Sequence, residues 1–282
     1  MKRLAILLAW DNFSEYHSQQ LAIAIADEWD TTITYNILDW DEFDLVMPFF
    51  PHRQVDAKRE KVIKLLWEPQ EFGYGAEAGT VIASSSVVYD RLKESSHRFP
   101  RLIHSPWGIN SIDFAPSLFP FVPPLKVGWC GLPMLERKQY DKLKETIEGI
   151  PGIEFLPNLT ETTSGRTHGP YEMQDMGRYY AQIHIYACAS IWEGFGFPIL
   201  EASACGRPVV TFDVGCARDL KQSGAGIVIV DSFKEMKEAI TTVDYHALGE
   251  QSAEAVRLHW AWDKMSPRWL EMLNDTYQYS IS

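Results

Sequence analysis

The sequence predicts an α/β protein of two domains, each a parallel β-sheet with helices on both faces. Short apolar, β-branched runs alternate with segments whose apolar residues fall at helical spacing, the pattern of parallel strands joined by crossover helices. That alternation is interrupted once, at residues 107–124, where Gly108, Pro116, Pro120, Pro123 and Pro124 crowd together. The length of 282 residues also exceeds what one compact core usually supports.

Residues 4–10 form a continuous apolar run that reads as a first buried strand, residues 16–29 as a helix, and residues 32–38 as an alternating strand. Residues 44–50, 62–67 and 80–84 repeat the strand theme, and 85–96 read as a helix opened by serine caps. Beyond the break come a strand at 126–130, a helix at 138–148, a strand at 153–156 and a polar loop at 158–169. A helix at 171–182 follows, with Pro170 at its entry. The remainder reads as a strand at 183–187, a glycine-bearing turn, a helix at 198–205, strands at 208–212 and 226–230, and a helix at 232–242. Residues 247–277 are helical in composition. The organisation expected is a first Rossmann-like domain at 1–115, a linker at 116–125, a fuller Rossmann-like domain at 126–260 and a helix at 261–282 that can pack back on the first domain.

Composition narrows the function classes. With 46% hydrophobic and 23% charged residues the chain is an ordinary globular protein. Its net charge of -12 repels polyanions, which disfavours nucleic acid as a partner. The basic residues Arg53, Lys58, Arg59, Lys61 and Lys64 are interleaved with Asp56 and Glu60, as on a solvated helix face, and are the one place for an anionic partner to dock. Cys130, Cys188, Cys205 and Cys216 form no C-x-x-C pair, so a reducing, cytoplasmic location is expected. The apolar start is short and meets Asp11 without a small-residue cleavage site, which favours a strand over a leader. No transmembrane stretch is expected, which leaves peripheral membrane contact open. Zincin, P-loop and dinucleotide fingerprints are missing.

The informative segment is E-G-F-G-F-P-I-L-E-A-S-A-C-G-R-P-V-V at residues 193–210. A strand ends just before it, a glycine-bearing turn follows, and Pro198 starts a helix. Unpaired N–H groups and the helix dipole at such a start favour an anion such as phosphate. Gly194 and Gly196 permit close backbone approach. Glu201 lies one helical turn inward and can face the same crevice as Glu193, so two carboxylates beside a phosphate site suggest recognition of hydroxyls. The plain alternative is a pair of solvated acids at a helix start.

This segment, two glutamates seven residues apart inside that glycine- and proline-bearing frame, resembles glycosyltransferase family 4 of the GT-B fold, also called the group 1 glycosyltransferases. Met176, Tyr179 and Tyr180, the later Val214-Gly215 with Asp219, and Ser105-Pro106-Trp107-Gly108-Ile109-Asn110 with Phe114 extend the likeness over roughly residues 100–275. The resemblance implies two Rossmann-like domains whose parallel sheets face a central cleft. It implies that Glu193 contacts the donor sugar as the catalytic residue, that Glu201 binds the nucleotide ribose, and that Gly194, Phe195, Gly196 and Phe197 hold the diphosphate.

Two departures from the family pattern bear on the site. The family's arginine and lysine after the first strand of the second domain are displaced here: Gly131 is followed by Leu132, and Arg137 and Lys138 come later and take the diphosphate-binding assignment. The family's Gly-Gly-x-Glu-x-His appears as Asn12-Phe13-Ser14-Glu15-Tyr16-His17, without either glycine. Asn12, His17 and Glu68, the last just past a strand, are the acceptor-side candidates. Trp107 and Trp192 are candidates to stack on a sugar ring. Asp39-Trp40-Asp41 imitates the metal-binding D-x-D of GT-A enzymes, but its place in the acidic run 39–44 reads as a solvated loop, and no metal site is expected.

The resemblance therefore implies a retaining, metal-independent hexosyltransferase. It would use a nucleotide-diphosphate sugar as co-substrate and no cofactor. Its hydroxyl acceptor would be a glycan, a lipid-linked glycan or another cell- or virus-derived molecule. A nucleotide-sugar epimerase and a non-catalytic nucleotide-sugar-binding module are the alternatives.

Overall fold

In the computed structural model the described residues are 1–8, 12–36, 38–50, 52–66, 75–117, 123–163 and 166–282. They divide into two compact units, residues 1–108 with 262–282, and residues 109–261.

The first unit alternates strands and helices. β1 (Lys2–Leu7), α1 (Asn12–Ala24), β2 (Trp29–Thr34), β3 (Leu45–Pro48), β4 (Ile63–Leu66), β5 (Thr80–Ala83), α2 (Ser86–Lys93) and β6 (Leu102–His104) follow in order. The strands form two parallel sheets, β2-β1-β3 and β4-β5-β6, joined by a parallel bridge between Val46 and Val62. β1, β3, β4 and β5 are buried on both faces, which explains why they read as unbroken apolar runs. The serine-capped helix expected at 85–96 starts as anticipated, with Ser85 Oγ accepting from the Val88 amide at 3.3 Å, and ends at Lys93. β6 escapes the sequence reading because three residues give too short a periodic signal.

The last helix, α9 (Trp262–Ile281), completes this unit. Trp269 Nε1 donates to the Pro106 carbonyl at 2.8 Å and the Arg268 guanidinium to the His104 carbonyl at 2.7 Å. Trp107 lies 4.9 Å from the Trp269 ring and 5.5 Å from Phe49. It is fully buried, so the expectation that it stacks on a sugar is corrected: its ring is part of the core.

The second unit contains β7 (Leu125–Gly131), α3 (Tyr140–Ile147), β8 (Ile153–Leu159), α4 (Met176–Tyr180) and β11 (Ile185–Cys188), then α5 (Phe197–Ala204), β12 (Val209–Thr211), α6 (Ala217–Gln222), β13 (Ile227–Ile229), α7 (Phe233–Thr242) and α8 (Tyr245–His259). Its five-stranded parallel sheet has the order β13-β12-β11-β7-β8. Val127, Trp129, Ile185, Ala187 and Val210 on one face pack with Leu143 and Ile147 of α3 and Met236 and Ile240 of α7. Each such large side chain contributes about 1.5–3 kcal/mol on burial.

Three readings of the second unit are corrected. The polar loop at 158–169 contains an antiparallel hairpin, β9 (Glu161–Thr163) and β10 (Arg166–His168). The helix expected at 171–182 is one short α-helix, α4, preceded by a 3-10 turn at Met173–Asp175. The helix expected from residue 138 opens as a 3-10 turn, Glu136–Lys138, and Gln139 in a left-handed conformation (φ 47°) separates it from α3. The boundary also falls at Gly108/Ile109 rather than after residue 115. The Ile109 amide donates to the Trp260 carbonyl at 2.9 Å, and the Arg207 guanidinium donates to the Ser117 carbonyl at 3.0 Å, so both ends of that segment are tied to the second unit. Among the described residues no helix is long and apolar enough to cross a membrane. All four cysteines are buried free thiols.

Candidate functional site at the switch point of the second sheet

In the order β13-β12-β11-β7-β8 the chain runs from β7 outward to β8 and then returns to β11 on the other side of β7. Between β7 and β11 the connections leave in opposite directions, which makes the carboxyl ends of these two strands the topological switch point of the sheet. The loop after β7 supplies Arg137 and Lys138, and the loop after β11 supplies Ser190, Trp192 and Glu193. The Ile191 amide donates to the Arg137 carbonyl at 2.8 Å and stitches the two loops together.

Glu193 is the centre of this arrangement. Lys138 Nζ donates to Glu193 Oε1 at 2.5 Å, Ser190 Oγ to the same oxygen at 2.6 Å, and Arg137 Nη1 to Oε2 at 3.3 Å. The glutamate side chain is only 10% exposed. Burial by itself pushes its pKa up, but the charge of Lys138, then that of Arg137, and the hydrogen bonds from Lys138 and Ser190 bring it below the ordinary carboxylate value. Glu193 is thus held ionised by two cations. The Arg137 guanidinium also lies 4.4 Å from the centre of the Trp192 ring, which fixes its orientation.

Directly after this loop, Gly196 takes a left-handed conformation (φ 79°) as the N-cap of α5, with Pro198 in the first turn. The turn is braced from behind by residues 213–216. The Cys216 amide donates to the Phe195 carbonyl at 2.7 Å, and Gly215 (φ 52°) passes so close that a Cβ there would meet the Phe195 oxygen at 2.4 Å. Phe195 and Phe197 are buried, 4.8 Å apart edge-on, and anchor the turn.

Glu201 sits one turn into α5 and is buried. Tyr180 donates its hydroxyl to Glu201 Oε2 at 2.7 Å. Burial pushes the Glu201 carboxyl up to about 7, and the Tyr180 hydrogen bond works in the opposite direction. The two glutamates of the motif are therefore shifted in opposite directions from the ordinary carboxylate value, Glu193 held below it by cations and Glu201 pushed above it by burial.

The structure places Arg137, Lys138 and Glu193 in one cluster, with residues 194–197 leading from it into α5 and Glu201. Two of the acceptor-side candidates belong to α1 of the first unit. His17 is buried on α1, where loss of hydration pushes its pKa down to about 3 and keeps it neutral, which makes it a poor general base. Asn12 is the first residue of α1. Glu68 lies outside the described residues. Asp39, Asp41 and Glu42 are exposed, as expected of a solvated stretch, and Asp39 also caps the 3-10 turn Trp40–Glu42, accepting from the Asp41 amide at 3.1 Å. Sequence reasoning missed Ser190 and the bond of Tyr180 to Glu201. Ser190, three residues before Glu193, carried a local signal; the partnership across 21 residues between Tyr180 and Glu201 carried none.

Known proteins resemble this chain in sequence and in fold. Residues 133–243 match the domain family described as Glycosyl transferases group 1, a stretch that contains Arg137, Lys138, Glu193 and Glu201. A probable sucrose-phosphate synthase of Thermosipho melanesiensis is 30% identical over 91 residues, which cover 32% of this chain and 22% of the relative. A GDP-mannose-dependent monoacylated alpha-(1-6)-phosphatidylinositol monomannoside mannosyltransferase of Corynebacterium glutamicum is 23% identical over 239 residues, covering 71% of this chain and 63% of the relative. The chain spans less than two thirds of the length of either. Among solved structures, the sucrose-phosphate synthase of Thermosynechococcus elongatus aligns with a TM-score of 0.78 at 14% identity, covering 99% of this chain and all of that one. The Anabaena protein HepE, in complex with UDP and glucose, aligns with a TM-score of 0.68 at 12% identity, covering 98% and 100%. The fold is GT-B.

Proposed function

We propose that this chain, in which a group 1 glycosyltransferase domain occupies residues 133–243 of a GT-B fold, transfers a hexose from a nucleotide-diphosphate sugar to a hydroxyl acceptor, with retention and without a metal ion. The observation that supports this best is the convergence of Lys138 and Arg137 on Glu193 directly before the N-terminus of α5, with Glu201 one turn further in. The diphosphate would lie against the amides of residues 194–197 and the two cations, and the ribose hydroxyls would donate to Glu201. As the bond from the sugar to the diphosphate breaks, negative charge grows on the leaving phosphate. Fixed dipoles at the helix start and the Lys138 ammonium stabilise it. Glu193, held charged and oriented, positions the sugar. The mannosyltransferase relative is named for GDP-mannose and the HepE structure holds UDP with glucose, so both guanine and uracil donors belong in the first panel tested.

Replacing Glu201 with alanine is expected to weaken nucleotide binding by about 1.5–3 kcal/mol, roughly ten- to hundredfold, the value of hydrogen bonds to a charged group. Calorimetry with UDP and GDP on the folded variant measures it, and unchanged affinity removes Glu201 from the site.

Transfer is expected to survive EDTA, and the double replacement Asp39→Ala, Asp41→Ala to leave turnover within about threefold, since helix dipole and cations supply the positive charge. Loss of transfer on chelation with rescue by manganese would overturn the metal-independent mechanism. NMR of the product reads the stereochemistry: an inverted anomeric centre would rule out retention. Slow release of free sugar from the donor supports a transferase, whereas isomerised donor identifies an epimerase and binding without turnover a binding module.

A further inference from the structure

Tyr180, the hydroxyl donor to Glu201 Oε2, has its ring packed among three other aromatic rings. Tyr180 is fully buried at the end of α4, 5.3 Å from the Tyr179 ring, 6.0 Å from Tyr186 edge-on and 6.3 Å from Phe114. Its backbone is clamped as well, because Arg207 Nε donates to the Tyr180 carbonyl at 2.8 Å while the same guanidinium holds the Ser117 carbonyl. The phenol has two torsions, and packing has settled both, so the hydroxyl stays aimed at Glu201 Oε2 at 2.7 Å.

We propose that Tyr180 is a positioning residue of the nucleotide site, its hydroxyl fixing the Glu201 carboxylate for the ribose and supporting that carboxylate's charged form. This rests on the reading of Glu201 as the ribose-binding group.

An O–H donor stabilises a carboxylate and not the neutral acid, so the bond opposes what burial does to Glu201. Burial raises the carboxyl to about 7 even with Tyr180 in place, and without the hydroxyl it rises further. The neighbouring phenols and thiols stay neutral, and Arg207, whose charge acts on Cys205 alongside that of Glu201 and which donates to the Tyr180 carbonyl, is a nearby cation. On β7, Cys130 Sγ lies 3.6 Å from both the Tyr180 and Tyr186 hydroxyls, and burial followed by the Glu201 charge pushes this thiol up to about 12. On the carboxyl's own helix boundary, burial pushes Cys205 up to about 12, so it too stays a neutral thiol. The buried residues of α6 are Ala217 and Leu220, and those of α8 are Gly249, Ser252, Ala255 and Val256, none of them ionisable.

The signs for folding and for binding are opposite. A carboxyl whose folded value exceeds its ordinary one stabilises the folded chain most below that ordinary value, and this contribution is lost as pH rises through about 7. Ribose hydroxyls donate to the ionised form, so nucleotide affinity climbs over the same interval.

The test follows Glu201 in the free protein by carbon-13 NMR of labelled glutamate carboxyls, and UDP and GDP affinity by calorimetry from about pH 5.5 to about pH 9, in wild type, Tyr180→Phe and Tyr186→Phe. The wild-type carboxyl is expected to titrate near about 7, and in Tyr180→Phe to move up by about one unit, a tenfold change in proton affinity. Tyr186→Phe, whose hydroxyl meets Cys130, should leave it in place. Nucleotide affinity of Tyr180→Phe should fall at least about tenfold below wild type near pH 6, following that one-unit shift, and by less near pH 9, where the carboxylate is ionised but no longer held in place. Equal carboxyl midpoints in wild type and Tyr180→Phe overturn the role of Tyr180. Should the midpoint move while UDP and GDP affinities stay flat with pH, the ribose assignment of Glu201 fails instead. A flat affinity in wild type by itself removes the ribose assignment on which the proposal rests, whatever the variant's stability.

Discussion

Lys138→Ala is expected to slow sugar transfer by about two to three orders of magnitude, the usual cost of removing one preorganised charge from a group that becomes anionic in the transition state. The effect has two parts that can be separated. The ammonium would meet the leaving diphosphate, and its loss would lower turnover. It also holds Glu193 Oε1 at 2.5 Å in a site where the glutamate is 10% exposed, so the variant leaves a buried carboxylate with Arg137 at 3.3 Å as its remaining cation among the described residues. Breaking a buried pair in this way costs about 3 kcal/mol of stability or more. Glu193 has a lowered folded pKa, so its pairing stabilises the protein above the ordinary carboxylate value and is lost as pH falls through the folded value. The variant's melting temperature should therefore fall most at neutral pH and approach wild type in acid. Steady-state rates with a nucleotide-sugar donor and melting curves across pH measure both parts. Retention of turnover within a few fold would take Lys138 out of the mechanism and leave Arg137 as the diphosphate-binding cation.

Gly215→Ala should destabilise the second unit and weaken donor binding together. The added Cβ would stand 2.4 Å from the Phe195 carbonyl oxygen and 3.2 Å from Glu193 Cβ, at a backbone φ of 52° that L-residues rarely adopt. Overpacking of that kind costs about 1–3 kcal/mol, and the left-handed conformation adds about 1 kcal/mol. Because the group that must give way is the backbone of residue 195, the strain is relieved by moving the turn that would cradle the diphosphate. Nucleotide affinity is expected to drop by about tenfold, in line with displacing preorganised contacts. Calorimetry with UDP and GDP on protein shown to be folded decides it: a destabilised variant that binds nucleotide like wild type would mean that residues 213–216 do not set the turn.

Much of the fold and of the site is legible in the amino-acid sequence. Strands such as β7 and β11 announce themselves because burial on both faces demands unbroken apolar residues, and that constraint is written locally. The E-G-F-G-x-P frame is likewise local, since a left-handed Gly196, a proline in the first turn and an acid one turn inward are needed whatever surrounds them. Short elements escape such a reading where the chain is held by distant partners instead of its own periodicity. β6 exists because β5 offers it a ladder, and α4 shrinks to one short helix although its composition would support a longer one.

The sequence by itself determined the parallel α/β architecture and singled out Glu193, Glu201 and the turn between them as candidates, because those depend on spacing within one segment. Tertiary structure decided their chemistry. Whether a glutamate is charged depends on what lies within a few ångströms: Lys138, Arg137 and Ser190 around Glu193, but a tyrosine hydroxyl and a dry interior around Glu201. Lys138 and Tyr180 are 55 and 21 residues away from their respective glutamates. They meet them only because parallel strands bring the loops after β7 and β11 to one end of the sheet and α4 packs against α5, and no local pattern in the chain encodes such a meeting.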